Sequence, residues 1–269
     1  MRQLTSAVMK QLTKTMIIAI AVIIPFCFAS CKKIKGNGDV ITDVMTMSPF
    51  DGISLSAAFD ATIVHSVGYK VVIEAESNIM SYIVTEVKNK TLTLRMKPNI
   101  SFHRFKEIKV TIYCDKLESI ASSGASTIFA ENIICLDKLD ISTSGADDIE
   151  IANLSECKNL KLELSGSGKV EIGNVICDNY EMNMSGAGNV SLAGECHFAK
   201  INMSGAGKYN AFGLNVNKYN IEISGAGDAM VTAIDELTVR LSGAGNVNYR
   251  GNPQLNISNS GIGRVINKN

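Results

Sequence analysis

The feature that most limits what this chain can become is a tetrapeptide that returns at a nearly fixed interval. Ser185-Gly186-Ala187-Gly188 recurs as Ser204-Gly205-Ala206-Gly207, Ser224-Gly225-Ala226-Gly227 and Ser242-Gly243-Ala244-Gly245. Looser copies begin at Ser123, Ser144, Ser165 and Ser260, and the steps from serine to serine run from 18 to 21 residues. Self-similarity at about twenty residues marks a stacked-coil architecture. Apolar residues sit five, three and one positions before each serine (Leu160, Leu162, Leu164; Tyr219, Ile221, Ile223) and again five and seven after it (Val170, Ile172; Val190, Leu192). A period of two belongs to strands with one buried face. The chain is therefore expected to be all-β: a single-chain parallel β-helix, a solenoid of coils of 18 to 21 residues. Its hand should be right, because parallel crossovers almost always are. The glycines mark a bend, and parity places them inward with Ser and Ala outward.

Five cysteines keep the same period. Cys114, Cys135, Cys157, Cys177 and Cys196 each precede a motif serine by eight or nine residues, which predicts a ladder on successive coils. The following coils place apolar Val216 and Ile234 there, so the pattern favours buried thiols acting as small hydrophobes. Disulfides between neighbouring coils are the alternative in an exported chain. No CxxC pair or Cys/His spacing suggests a metal.

The first thirty residues read as an address. Lys10 and Lys14 precede an apolar run from Met16 to Phe28, too short for a comfortable membrane span and suited to a secretory signal. Phe28-Ala29-Ser30-Cys31 resembles the lipobox of bacterial lipoproteins, although Phe28 stands where leucine is usual. The resemblance implies cleavage after residue 30 and a lipid on Cys31, with attachment to a Gram-negative outer membrane on either face. An ordinary cleaved signal with an incidental cysteine is the alternative. Residues 32–45, opening Lys32-Lys33-Ile34-Lys35-Gly36, read as a polar tether.

Residues 46–113 lack the glycine motif but keep strand alternation through Ile53, Leu55, Ala61 and Ile63. Lys88-Asn89-Lys90 reads as a turn, and the stretch from Ser77 to Glu86 as a short helix. A solenoid needs an atypical end unit, because a bare end exposes strand edges and open core. The segment is therefore read as an N-terminal β cap or irregular first coils, with the repeat β-helix over 114–269.

Together the lipobox, the opening Phe50-Asp51-Gly52-Ile53 strand and the glycine array resemble the putative auto-transporter adhesin family with a head GIN domain, over roughly residues 45 to 265. The resemblance implies a β-helix-like fold on secreted or lipid-anchored proteins and brings no catalytic residues with it.

Function classes narrow from here. Formal net charge is zero with both signs interspersed, so composition implies neither nucleic acid nor an anionic surface as partner. No cofactor motif is present, since no helix opens after the glycines. His65, His103 and His197 are far apart in the expected stack, and no nucleophile triad can be drawn. His103-Arg104-Phe105-Lys106 forms a small basic cluster beside an aromatic, either a solvated loop or a partner contact.

Stacked in register, Asp140, Lys161, Glu181 and Lys200 alternate in sign, which is how a solvated face avoids like-charge repulsion. The main acidic concentration in the coils is Asp147, Asp148 and Glu150, with Glu171 one coil on and Lys169 in its midst. It is the one place for a carboxylate pair or a cation. The favoured reading is a non-enzymatic, adhesin-like binding or scaffold module meeting a glycan, an envelope protein or a second copy. A polysaccharide-processing enzyme acting through that acidic group is the alternative.

Overall fold

A computed structural model describes residues 32–269; the signal segment and Cys31 lie outside the described residues. The chain opens with β1 (Lys32–Lys35) and β2 (Val40–Thr46), then β3 (Gly52–Ser56), β4 (Asp60–His65) and β5 (Lys70–Glu76). One helical turn, α1 (Ser77–Met80), leads to β6 (Ile83–Lys88), β7 (Thr91–Met96), β8 (Ile100–His103) and β9 (Lys109–Cys114). Shorter strands β10 (Ser119–Ser122), β11 (Thr127–Ile134) and β12 (Lys138–Thr143) precede the regular coils.

The regular coils are long bent strands. β13 (Asp148–Leu164), β14 (Lys169–Met184), β15 (Asn189–Met203), β16 (Lys208–Ile223) and β17 (Asp228–Leu241) each begin four residues after a motif serine and stop just before the next. β18 (Val247–Arg250), β19 (Gln254–Asn259) and β20 (Val265–Asn267) finish the stack. The result is a β-solenoid of about seven turns, all of its coil-to-coil pairings parallel. The expected parity holds throughout. Leu162, Met182, Ile201, Ile221 and Val239 form one buried ladder, each beside the next in register. Asp140, Lys161, Glu181 and Lys200 form a solvated ladder on the other side of the same strands.

Motif corners stay in register while the opposite corner slips. Pairing shifts between Leu154 and Cys157, between Ile172 and Val175, and between Ser191 and Ala193. Differences in coil length are absorbed there, where Gly194 takes a φ of +130°. The motif glycines have a different reason to be glycine, since none adopts a left-handed φ. A Cβ on Gly186 would overlap the carbonyl oxygen of Gly166 one coil back, and one on Gly205 would overlap that of Gly186. Those carbonyls accept the Ala187 and Ala206 N–H groups at 3.0 and 3.1 Å. Close approach along the stack, rather than a tight inner corner, excludes a side chain.

Of the two readings of residues 46–113, irregular first coils describes residues 52–65, which form a coil inside the stack. β3 and β4 pair with β10 and β11 on one side and with β7 and β9 on the other. The outer coil of β7 and β9 is closed by antiparallel strands: β6 on β7, β5 on β9, and β2 on β5. Asn89 and Lys90 turn the β6–β7 hairpin with both φ positive, as a tight two-residue hairpin turn requires. The supposed tether over 32–45 is also structured: β1 lies parallel to β8, and β2 runs antiparallel to β5. Both strands are mostly exposed, and the apolar residues of β2 (Val40, Ile41, Val44, Met45) do not follow the alternation of a half-buried strand.

Candidate functional site

The motif corners build an open groove of about 600 Å³ running along the stack. Six motif serines, Ser123, Ser144, Ser165, Ser185, Ser204 and Ser224, line one wall. The residues two positions before them, including Ser142, Glu163, Asn183, Asn202 and Glu222, line the other. Between the walls lie Leu164, Met184 and Met203, whose side chains belong to the core. At about 4.8 Å per coil, six rungs make a groove on the order of 25 Å long.

Several wall groups are already held. Asn202 Nδ2 donates to Asn183 Oδ1 at 2.8 Å, and Lys161 Nζ meets Glu163 Oε1 at 2.6 Å. That hydrogen bond to Glu163 raises the Lys161 pKa, keeping the ammonium charged beside the groove. The serines escaped the sequence reading as site residues because the corner already accounted for them. Their outward parity together with the twenty-residue period was the signal that they would align.

The acidic group separates. Asp147 is not on the surface at all: it is 0 % exposed, and its Oδ1 accepts from Ser122 Oγ at 2.7 Å and Ser126 N–H at 2.9 Å. It occupies the motif position held by Gly168 or Gly188 in later coils, and its side chain folds back onto the preceding corner. Its Oδ2 and Thr143 Oγ1 are buried without a hydrogen-bond partner. Glu150 and Glu171 do come together, as register partners lining a shallow cleft of about 250 Å³ with Ser191. Lys169, in register with Asp148, pairs with Glu171 at 2.8 Å, and that bond raises the lysine pKa. Among the described residues, no group of three or more His, Cys, Asp and Glu is placed to hold a metal ion.

Four of the five cysteines form the ladder. Cys157, Cys177 and Cys196 are in register, and Cys135 is joined to Cys157 by a disulfide. The reading of all five as free thiols is thus corrected at this rung, where two neighbouring coils bring the sulfurs together. Cys114 leaves the ladder, because it pairs with His65 on the outer coil and the β3–β4 coil intervenes. Burial pushes its thiol up to about 12.

Fold and groove together define the class: a parallel β-solenoid whose repeated corner composes a continuous polar groove. The chain belongs to the family described as "Putative auto-transporter adhesin, head GIN domain", whose model matches residues 49–253. Solved structures share the fold. A putative adhesin from Parabacteroides merdae ATCC 43184 aligns with a TM-score of 0.83 at 24% identity, over 88% of this chain and 100% of its own. A putative adhesin from Parabacteroides distasonis ATCC 8503 gives 0.83 at 22% identity, over the same shares. A putative lipid binding protein from the latter organism gives 0.81 at 23% identity, again over 88% and 100%. No curated protein matches the sequence.

Proposed function

We propose that this chain is a lipid-anchored, non-enzymatic binding module of the Gram-negative outer membrane that holds an extended glycan in the serine-lined groove. The groove carries the reading. A pyranose chain carries a rim of hydroxyls, and the groove offers facing walls of serine hydroxyl, asparagine amide and glutamate carboxylate groups repeated from coil to coil. Serine hydroxyls both donate and accept, so each coil repeats the same adaptable contact. Repeat solenoids favour such extended surfaces. The adhesin description of the family agrees with this use. The secretory run and Cys31 support attachment at the cell envelope.

The test is a glycan array with the chain from residue 32, with product release assayed in parallel. Binding without turnover, lost when Ser185 and Ser204 become Leu and kept when Lys208 becomes Ala on another face, is the expected result. Binding that survives the leucine pair would remove the groove from the mechanism.

The enzymatic alternative retains one observation: Glu150 and Glu171 sit side by side in their cleft. Turnover abolished by Glu171→Gln would establish it, at the expense of the non-enzymatic reading.

A further inference from the structure

The chain is neutral as a whole, yet the pairing of β1 with β8 gathers one sign of charge at the cap. In register, Lys33 lies beside Ser101, Ile34 beside Phe102, and Lys35 beside His103. Successive strand side chains point to opposite faces. Ile34 and Phe102 share one face, and Phe102 packs on the core. Lys33, Lys35 and His103 share the other and are exposed. The following loop adds exposed Arg104 and Lys106. Between them Phe105 is left 37% exposed, edge-on to Phe102, which in turn meets Tyr82.

This loop is fastened in place. Lys106 Nζ donates to the Gly38 carbonyl at 3.0 Å, and its backbone N–H donates to Glu76 Oε1 at 3.2 Å. Among the described residues no carboxylate lies within ion-pair distance of Lys33, Lys35, Arg104 or Lys106. Glu107 is the acidic neighbour in the chain, and it does not pair with them.

We propose that this face is a docking surface for the head groups of an anionic phospholipid leaflet. The inference rests on the reading of Cys31 as the lipid-bearing residue. Cys31 directly precedes β1, so an acyl chain there presents these side chains to the leaflet at the shortest possible tether. Basic side chains within a Debye length of an anionic surface add their attraction together, and an exposed aromatic seats at the interface. A lipid and a basic patch are the two signals that together hold a protein firmly. The docked orientation sets the cap against the leaflet and leaves the C-terminal coil as the far end of the stack.

The test uses the chain from residue 32, without lipid. Its fold is checked first by far-UV circular dichroism and a cooperative thermal melt. Sedimentation is measured with vesicles of phosphatidylglycerol and phosphatidylcholine in equal parts, and with phosphatidylcholine alone. Binding to the anionic vesicles only, falling as salt is raised, is expected. The triple change Lys33→Glu, Lys35→Glu and Arg104→Glu should weaken it by roughly a hundredfold, while Lys208→Glu and Lys218→Glu on the coils leave it intact. Equal binding to both vesicle types, binding indifferent to salt, or no anionic binding would each overturn the proposal, and none of the three needs a variant. The lipid on Cys31 is read separately, from the mass of the mature N-terminus in membranes. An absent lipid with intact vesicle binding would fault the anchor and spare the surface.

Discussion

The Sγ atoms of Cys177 and Cys196 lie 3.1 Å apart on neighbouring coils, one rung beyond the Cys135–Cys157 disulfide. Both are free thiols, and the contact with Cys196 together with burial pushes the Cys177 thiol up. A small disulfide oxidant should therefore link them, the two thiols giving up two protons and two electrons as the reagent is reduced. Peptide mapping without reduction should show a Cys177–Cys196 cross-link. The hydrogen bond from Cys177 lowers the Cys196 thiol pKa, so reagent adducts on Cys196 with no cross-link would mean that the two coils do not hold this approach in solution. Cys114, with its pKa near 12, should resist alkylation at mildly alkaline pH until the chain unfolds.

Buried tyrosines give a pH prediction. Tyr180, Tyr209 and Tyr219 are fully buried, and desolvation raises each pKa well above 10.0. In the unfolded chain the phenols ionise near 10. Above that pH the unfolded state therefore holds fewer protons than the native one, so stability is full below about 10 and falls as pH rises further. Spectrophotometric titration should show these three phenols ionising only with global unfolding. Reversible ionisation in the folded protein near pH 10 would contradict their burial.

Leu162 and Lys169 separate core from surface. Leu162 is wholly buried in the ladder, so Leu162→Ala should cost about 2–5 kcal/mol, and Leu162→Asp should unfold the stack. Lys169 pairs with Glu171 on a half-exposed face, and Lys169→Ala should leave stability essentially unchanged. Urea titrations of the variants would check both, and an unchanged Leu162→Asp midpoint would refute the inward parity.

Gly205→Ala tests why the motif needs glycine. The added methyl would meet the Gly186 carbonyl oxygen and force the coils apart, at a cost of about 1–3 kcal/mol. The neighbouring Ala206 is exposed, and Ala206→Ser should be neutral in the same thermal melts. Equal effects at the two positions would refute the close-approach argument.

Asp147→Ala removes the acceptor for Ser122 Oγ and Ser126 N–H, leaving both donors buried. A loss of about 1–3 kcal/mol follows. An unchanged melting temperature would show that these groups find other partners.

The regular coils were legible because two periods coincide. Leu162 and Met182 are apolar at the spacing of strands and repeat at the spacing of coils. Nothing local encodes which coil Ile53 joins: it pairs with Leu92 and with Ile120, both far off in sequence. β1 and β2 carry no alternating pattern because their side chains are mostly exposed and strand pairing with distant β8 and β5 holds them. Asp147 sits at the inward position of its corner, the place of Gly168 and Gly188, but a carboxylate there is buried only because Ser122 Oγ and the Ser126 N–H satisfy it, which residue names alone do not announce. The cysteine rungs could be counted, whereas whether a given pair closes depends on local coil spacing that residue names do not carry.

The coil of β3 and β4 is made before either of the coils that flank it. Its strands are laid down first, yet one of its edges waits for β7 and β9 and the other for β10 and β11. An exported chain that emerges from its N-terminus therefore cannot grow this end by simple accretion. Its slowest assembly step should be closing this first coil between both its neighbours, after which every later coil has a finished template to condense on.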